Sequence, residues 1–451
     1  MIRMTDPSRA TDWLAVTADA TPNAIAIVED DGRQVSYREL DALADEAASK
    51  IGFDVGVTRG DITVVAVRNV GLPVLAMLWG VWRIGVAPLM IDQRSPLVGG
   101  WSKALRGRWS MDVPLTTPTE DLHTVVLTSG STVGPRPVRL TVSNVAAAVA
   151  ASQLRLGNDE HDRWLLNLPL FHVGGLSVLW RSAAAGGTVV IHEEFDAARS
   201  AAAMKSGSVS VVSLVPTMLH RILDADPGPY HGMRAVLLGG AAANRDLVER
   251  GLEAGLPILQ TYGATEACSQ IATVEPGEAE EALGTAGRPL EGMVVTINGA
   301  AADGEVGEIV IDGPAVSPGY LDEPDRVGGH HTRDLGYLDE SGRLVVLGRV
   351  DDMVVTGGEN VFPRRVADVI SRHRFVGRVE VIGVADPEWG QALVAVIVGD
   401  GATRHRVERW ARQRLARHEV PKHWVFVEEL PLLPSGKVDR VALAELARRA
   451  H

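Results

Sequence analysis

Between Asp61 and Ala254, short apolar runs alternate with segments whose apolar residues fall at helical spacing. The runs Asp61–Val67, Val86–Ile91, Leu122–Leu127, Trp164–Asn167, Thr188–His192, Val209–Leu214, Ala235–Leu238 and Ile258–Thr261 read as strands. Pro73–Ile84, Asn144–Leu154 (with Ser143 as N-cap), Met218–Asp224 and Arg245–Ala254 read as helices, as does Ser36–Ile51 upstream. Strand following helix following strand excludes a hairpin architecture. Parallel neighbours need a crossover, usually a helix, so the pattern predicts an α/β fold with helix-covered, mostly parallel sheets. Val294–Asp312 changes character: VVTING followed by GEIVIDG reads strand–turn–strand, the mark of a small antiparallel, barrel-like subdomain. After the strand-like Arg343–Leu347 comes the charged junction Gly348–Asp352. The helix Arg364–His373, the strands Val379–Val384 and Leu393–Val398, and the helix Arg404–Arg414 follow it. A charged, Gly-containing junction suits a boundary. The expected organisation is a large domain over residues 1–347, a hinge over 348–352 and a small α+β domain over 353–451.

Composition narrows the function. A formal charge of −13 over 451 residues lacks the basic face that nucleic acid requires. The single cysteine, Cys268, excludes a disulfide framework and a cysteine-rich metal site, and suits a reducing cytoplasm. Met1–Asp12 has no apolar stretch resembling a signal peptide, and Val70–Trp82 is too short to span a bilayer. The 47 glycines exceed the usual share, so their positions matter.

Four segments carry candidate chemistry. Leu127–Val138 follows a predicted strand and concentrates Thr128, Ser129, Gly130, Ser131 and Thr132. Such a loop offers clustered N–H and hydroxyl donors to a polyphosphate, although a solvated turn has the same composition. Thr261-Tyr-Gly-Ala-Thr-Glu266 sits at a strand's carboxyl end, where open α/β sheets bind ligands. Glu266 there can hold Mg²⁺ through oxygen, or be a solvated loop carboxylate. Asp334, in Thr332–Gly336, and Arg349, in Gly348–Asp352, suit ribose hydroxyls and a phosphate, or form a surface ion pair. Leu433–Arg440 presents Lys437 beside Gly436.

In this order the segments resemble the adenylate-forming superfamily of acyl-CoA synthetases, peptide-synthetase adenylation domains and luciferases. The resemblance runs from Trp13–Lys50 to the Lys437 loop. Leu168–Arg181, Ser213–Leu219, Gln260–Ile271 and Gly357–Pro363 are similar to the 2-succinylbenzoate–CoA ligase branch of menaquinone biosynthesis. The resemblance implies an ATP-dependent, AMP-forming acid–thiol ligase that uses ATP, Mg²⁺ and CoA on a small-molecule carboxylic acid, 2-succinylbenzoate in the first place. A homodimer is compatible with it. Thr128 to Thr132 would wrap the phosphates, Thr265 would touch the α-phosphate, and Glu266 would hold the metal. Gly239, Gly240, Ala241 and Gln260, Thr261, Tyr262, Gly263 would line the adenine and acyl pockets. Asp334 and Arg349 would hold the ribose, and Asp351 would be the hinge. Lys437 would meet the carboxylate and the α-phosphate. Gly357 would border the pantetheine tunnel, and His172 would stand at the acyl pocket as gate or wall, with Val173 and Gly174 beside it. Arg181 is the candidate for the ring carboxylate, against the alternative of a surface helix arginine. Ser269 and Gln270 are further polar contacts, and Cys268 is expected to be a small buried bystander.

The phosphate loop departs from the family pattern: Val133, Arg136 and Pro137 stand where Gly, Lys and Gly are usual. A ligase for another aryl or medium-chain acid, a degenerate adenylate-binding member, and an enzyme loading a carrier protein remain alternatives.

Overall fold

The computed structural model describes residues 12–55, 57–67, 70–94, 121–128, 135–300, 304–321, 323–433 and 438–450. The apolar runs assemble into four sheets. The largest has nine strands. Its middle holds Ile258–Ala264, Ala235–Leu238, Val211–Leu214, Arg163–Leu166, Thr188–Ile191 and Ile25–Val28, all parallel. Antiparallel strands close its ends: Ser269–Thr273 and Arg288–Pro289 at one, Gln34–Ser36 at the other. The central strands are buried at every position but Arg163, as a sheet covered on both faces requires.

A second sheet has five strands. Ile62–Val67, Ala87–Asp92 and Leu122–Leu127 are parallel, and Pro137–Thr141 and Gly319–Tyr320 add antiparallel. The two sheets share one apolar core. Helices Tyr37–Lys50, Leu72–Arg83, Val142–Leu156 and Val173–Ala185 supply much of it through Leu40, Leu75, Val145 and Leu176. Helix Val142–Leu156 starts two residues earlier than expected, and its N-cap is Thr141, not Ser143. Thr141 Oγ1 accepts from the Asn144 N–H at 3.1 Å, and Asn144 Oδ1 accepts from the Thr141 N–H at 3.1 Å. This reciprocal pair satisfies two donors that a cap at Ser143 would leave open.

The antiparallel unit is a four-stranded sheet in the order Val294–Asn298, Gly307–Asp312, His330–Leu338, Leu344–Arg349. A single 3-10 turn, Val350–Asp352, leads from it to the last sheet. That sheet joins Val354–Thr356, Glu359–Val361, Arg378–Asp386, Gly390–Val398 and His423–Val427, with helices Pro363–Ser371, Arg404–Arg412 and Arg440–Ala450 against it. Its core is separate from the core of the first two sheets. Among the described residues no helix is long and apolar enough to cross a membrane.

Candidate active site

A cavity of about 2160 Å³ opens between the carboxyl ends of the nine-stranded sheet, the four-stranded sheet and the last sheet. Its wall includes Thr128, His172, Val173, Gly174, Arg181, Gly239, Gly240, Ala241 and Gln260. It continues through Thr261, Tyr262, Gly263, Thr265, Glu266, Ser269, Gln270, Asp334, Arg349 and Asp351. The fold therefore brings together residues that the chain scatters over more than two hundred positions. Ser129, Gly130, Ser131, Thr132, Val133, Gly134 and Lys437 lie outside the described residues. Their flanks are in place: Thr128 and Pro135 on one side, Leu433 and Val438 on the other, all on the cavity wall. Gly357 is not on that wall. It sits in the turn between Val354–Thr356 and Glu359–Val361, where its N–H donates to the Trp389 carbonyl at 3.0 Å.

The strand expected to stop at Thr261 runs on to Ala264, so Thr261, Tyr262 and Gly263 are strand residues. Pairing with Ser269–Thr273 extends it. Two glycines permit the resulting closeness. A Cβ on Gly263 would lie 1.7 Å from the Ser269 carbonyl oxygen, and one on Gly239 would lie 2.6 Å from Thr261 Cγ2. Neither position has room for a side chain. Between the strands, Thr265–Ala267 forms a 3-10 turn. Cys268 and Ser269 then take left-handed φ values of 51° and 104°, which L-residues adopt at a cost. This strained turn aims Thr265 and Glu266 into the cavity.

The Asp334–Arg349 pair is formed by register. Asp334 and Arg349 face each other across neighbouring antiparallel strands, 3.5 Å apart at Oδ1 and Nη1. Tyr262 completes the group by donating its hydroxyl to Asp334 Oδ2 at 2.5 Å. Burial raises the Asp334 carboxyl above the usual range, while the Tyr262 hydrogen bond and Arg349 oppose that shift. Burial also raises the Tyr262 phenol, and the adjacent Asp334 charge adds to it. Tyr262 is thus a neutral donor that holds the carboxylate in place.

Glu266 has a second group around it. Tyr320 donates its hydroxyl to Glu266 Oε1 at 2.7 Å, and the Ser317 N–H donates to the Glu266 carbonyl at 2.8 Å. The Arg136 guanidinium lies 3.3 Å over the Tyr320 ring and is ion-paired with Glu323. Arg326 and His330 also face this part of the cavity. Burial, with Arg326 next in weight, pushes His330 down to about 4, so its imidazole is neutral. The motif reading missed Tyr320, Arg326 and His330. A usable signal existed: no lysine or arginine stands between Arg288 and Arg326, in a stretch rich in carboxylates.

His172 caps the helix Val173–Ala185 and packs on Phe171, with ring centroids 4.7 Å apart. Arg181, two turns further along the same helix, corrects the surface alternative: it is 3% exposed. Among the described residues its Nε and Nη2 have no hydrogen-bond partner, and burial pushes its pKa down to about 9. A buried guanidinium with two unpaired donors at the cavity wall is a candidate for an anion that enters the cavity. Cys268 is free and buried, and burial raises its thiol well above the usual range, so it is inert. Gln270 is engaged within the fold, accepting from Ser152 Oγ and donating to Thr273 Oγ1, each at 2.8 Å.

Among the described residues no cluster of three or more His, Cys, Asp and Glu is placed to hold a metal. One carboxylate, Glu266, beside a space for phosphates fits Mg²⁺, which takes few protein ligands and keeps water and phosphate oxygens. Around the turn Val350–Asp352, Asp351 is gripped by Arg333 of the four-stranded sheet and Asp352 by Arg440 of the last helix. Arg364, at the start of helix Pro363–Ser371, donates to the Val346 carbonyl at 2.7 Å and to the Ala243 carbonyl at 3.4 Å.

Known proteins resemble this chain over nearly its whole length. Residues 14–98 and 100–321 match the model of the AMP-binding enzyme family, and residues 365–437 match its C-terminal domain. The 2-succinylbenzoate–CoA ligase of Bacillus licheniformis is 33% identical over 95% of this chain and 98% of its own. That of Listeria monocytogenes is 32% identical over 96% and 99%. Among solved structures, o-succinylbenzoate CoA synthetase of Bacillus subtilis with its acyl-adenylate intermediate has a TM-score of 0.84 at 29% identity, covering 96% and 98% of the two chains. The same Bacillus subtilis enzyme with ATP and magnesium ion gives 0.82 at 28% identity, covering 97% and 99%.

Proposed function

The chain belongs to the AMP-binding enzyme family, and on that premise we propose that it joins 2-succinylbenzoate to CoA through an acyl-adenylate. The observation that carries the reading is the continuity of one cavity. A nucleotide-type group (Asp334, Tyr262, Arg349) and Thr265–Glu266 share it with a buried guanidinium whose donors are open, Arg181. A dicarboxylate needs both ends of such a cavity, one for the reacting carboxyl group and one for the spectator.

In this mechanism Asp334 accepts the ribose hydroxyls, held by Tyr262 and balanced by Arg349. Thr265 donates to the α-phosphate. Glu266 would hold Mg²⁺, which when bound lowers the charge density on the phosphate oxygens. The succinyl carboxylate, fixed by Arg181 through the ring carboxylate, meets the α-phosphorus with both reactants already oriented. Lys437 brings a positive charge to two anions that repel each other. Residues 1–347 bind ATP and acid, 348–352 are the hinge with Asp351 as pivot, and 353–451 carry Lys437. Turning the small domain then replaces Lys437 by the Gly357 turn as the CoA thiol enters, which accounts for Gly357 lying off the present cavity. ATP and CoA as substrates and a lone inert thiol favour the cytoplasm as the compartment.

Pyrophosphate exchange into ATP tests the reading. Exchange that depends on 2-succinylbenzoate, and is weaker with 4-oxo-4-phenylbutanoate, benzoate or hexanoate, is the expected result. Equal or faster exchange with an acid lacking the second carboxylate overturns the substrate assignment.

A further inference from the structure

Adenylation forms a bond between a carboxylate oxygen and the α-phosphorus and breaks the bond from that phosphorus to the bridging oxygen. The electron pair leaves on pyrophosphate, so negative charge grows on the β- and γ-phosphates and must be met by cations. The basic residue of this chain's own phosphate loop is not free to do so. Arg136 is stacked on Tyr320 and ion-paired with Glu323. Its backbone is also fixed, with its N–H donating to Thr128 Oγ1 at 3.0 Å.

The neighbouring segment supplies a replacement. Gly319 and Tyr320 pair with Arg139 and Val138, on the strand that leaves the phosphate loop. This sets Gly319 and Tyr320 against the strand that leaves the loop. The segment is pinned at its far end, where the Arg326 N–H donates to the Pro318 carbonyl at 2.7 Å. Asp325 is held by the buried Arg139 at 2.8 Å. The side chain of Arg326 is half-buried and lies on the cavity wall beside Glu266. Among the described residues it makes one side-chain hydrogen bond, from Nη1 to the Ser317 carbonyl at 3.2 Å. Ser317 in turn donates its N–H to the Glu266 carbonyl. Among the described residues no carboxylate is ion-paired with Arg326, although Glu266 and Glu323 are close enough for their fields to be felt. Arg326 is therefore a positioned cation with unused donors, next to the carboxylate that suits the metal and on the wall of the cavity that Thr128 and Pro135, the flanks of the phosphate loop, also line.

We propose that Arg326 is a catalytic residue of the adenylation step, binding the β- and γ-phosphates of ATP and stabilising the departing pyrophosphate. This rests on the adenylation reading above and adds a residue to it. Two donors of one guanidinium suit adjacent phosphate oxygens, which a lysine ammonium matches less well.

The test compares full-length wild type with Arg326→Gln and Arg326→Lys. Calorimetric titration with magnesium pyrophosphate, and separately with AMP, reads binding without turnover. Arg326→Gln is expected to weaken pyrophosphate binding ~10- to 100-fold and leave AMP unchanged, with partial recovery in Arg326→Lys. ATP–pyrophosphate exchange is expected to fall ~100- to 1000-fold, while thioester formation from preformed acyl-AMP stays at the wild-type rate. Wild-type pyrophosphate affinity in Arg326→Gln overturns the proposal. So does an equal loss of pyrophosphate and AMP binding, which marks a merely structural role. If wild type exchanges with no acid, the adenylation reading fails, and the titrations still decide whether Arg326 binds pyrophosphate.

Discussion

Arg181→Met separates what this residue costs the fold from what it gives the substrate. The guanidinium is 3% exposed, and among the described residues Nε and Nη2 have no partners. Burial pushes its pKa from 12.5 to about 9. For a base, a folded value below the unfolded one penalises the charged native state at every pH below the folded value. The gap corresponds to ~5 kcal/mol at neutral pH as an upper figure. Methionine fills a similar space with no unpaired donors, and exchanging buried ionic groups for apolar ones commonly gains ~1–4 kcal/mol. The variant is therefore expected to unfold ~2–8 °C higher by calorimetry or differential scanning fluorimetry. Catalysis moves the other way. Losing one partner of a desolvated charge pair costs ~2–5 kcal/mol, which lowers kcat/KM for 2-succinylbenzoate ~30- to 5000-fold in a pyrophosphate-release assay. For 4-oxo-4-phenylbutanoate, which lacks the ring carboxylate, kcat/KM stays within ~3-fold of wild type. A variant that melts lower, or that loses both acids equally, refutes the reasoning.

Three further outcomes follow from the same geometry. Tyr262→Phe removes the 2.5 Å hydrogen bond to Asp334. A hydrogen bond to a charged group is worth ~1.5–3 kcal/mol, so KM for ATP should rise ~10- to 100-fold with KM for CoA little changed, as initial-rate kinetics would register. Lys437→Ala should impair adenylation far more than thioester formation from preformed acyl-AMP; equal losses in single-turnover measurements contradict its role. His123, stacked on Trp82, is pushed from 6.5 to about 3 by burial. The unfolded chain takes up a proton below about 6.5 that the folded one refuses, so stability falls as pH drops from there toward 3. Urea midpoints should show a loss of ~2–3 kcal/mol between pH 7 and 4.5, reduced in His123→Phe, which keeps the ring.

Strand and helix positions were legible because the signal is local. Each central strand of the nine-stranded sheet is a short apolar run, and its covering helix shows its own periodicity. Boundaries decided by pairing were not. Ile258–Ala264 is three residues longer than its apolar run because Ser269–Thr273 hydrogen-bonds to its polar end. At the site, Thr265, Glu266, Asp334 and Arg349 were readable as motif residues. Their pairings were not, since Tyr262 reaches Asp334 and Tyr320 reaches Glu266 only through tertiary packing. Arg181 shows the limit most sharply. An arginine on a helix reads as solvent-facing, but this helix is packed nearly all round, so the charge is buried with it. Arg326 carried no motif, and its role rests on the cavity wall it shares with Glu266.

The central claim is that one cavity adenylates 2-succinylbenzoate and then hands the acyl group to CoA. Quenching a reaction of purified protein, ATP, Mg²⁺, 2-succinylbenzoate and CoA, and resolving the products by mass spectrometry, tests it most directly. The account predicts AMP, pyrophosphate and the CoA thioester in equal amounts, with acyl-AMP accumulating when CoA is withheld. Formation of ADP and phosphate, or a thioester with no acyl-AMP on omission of CoA, would contradict it.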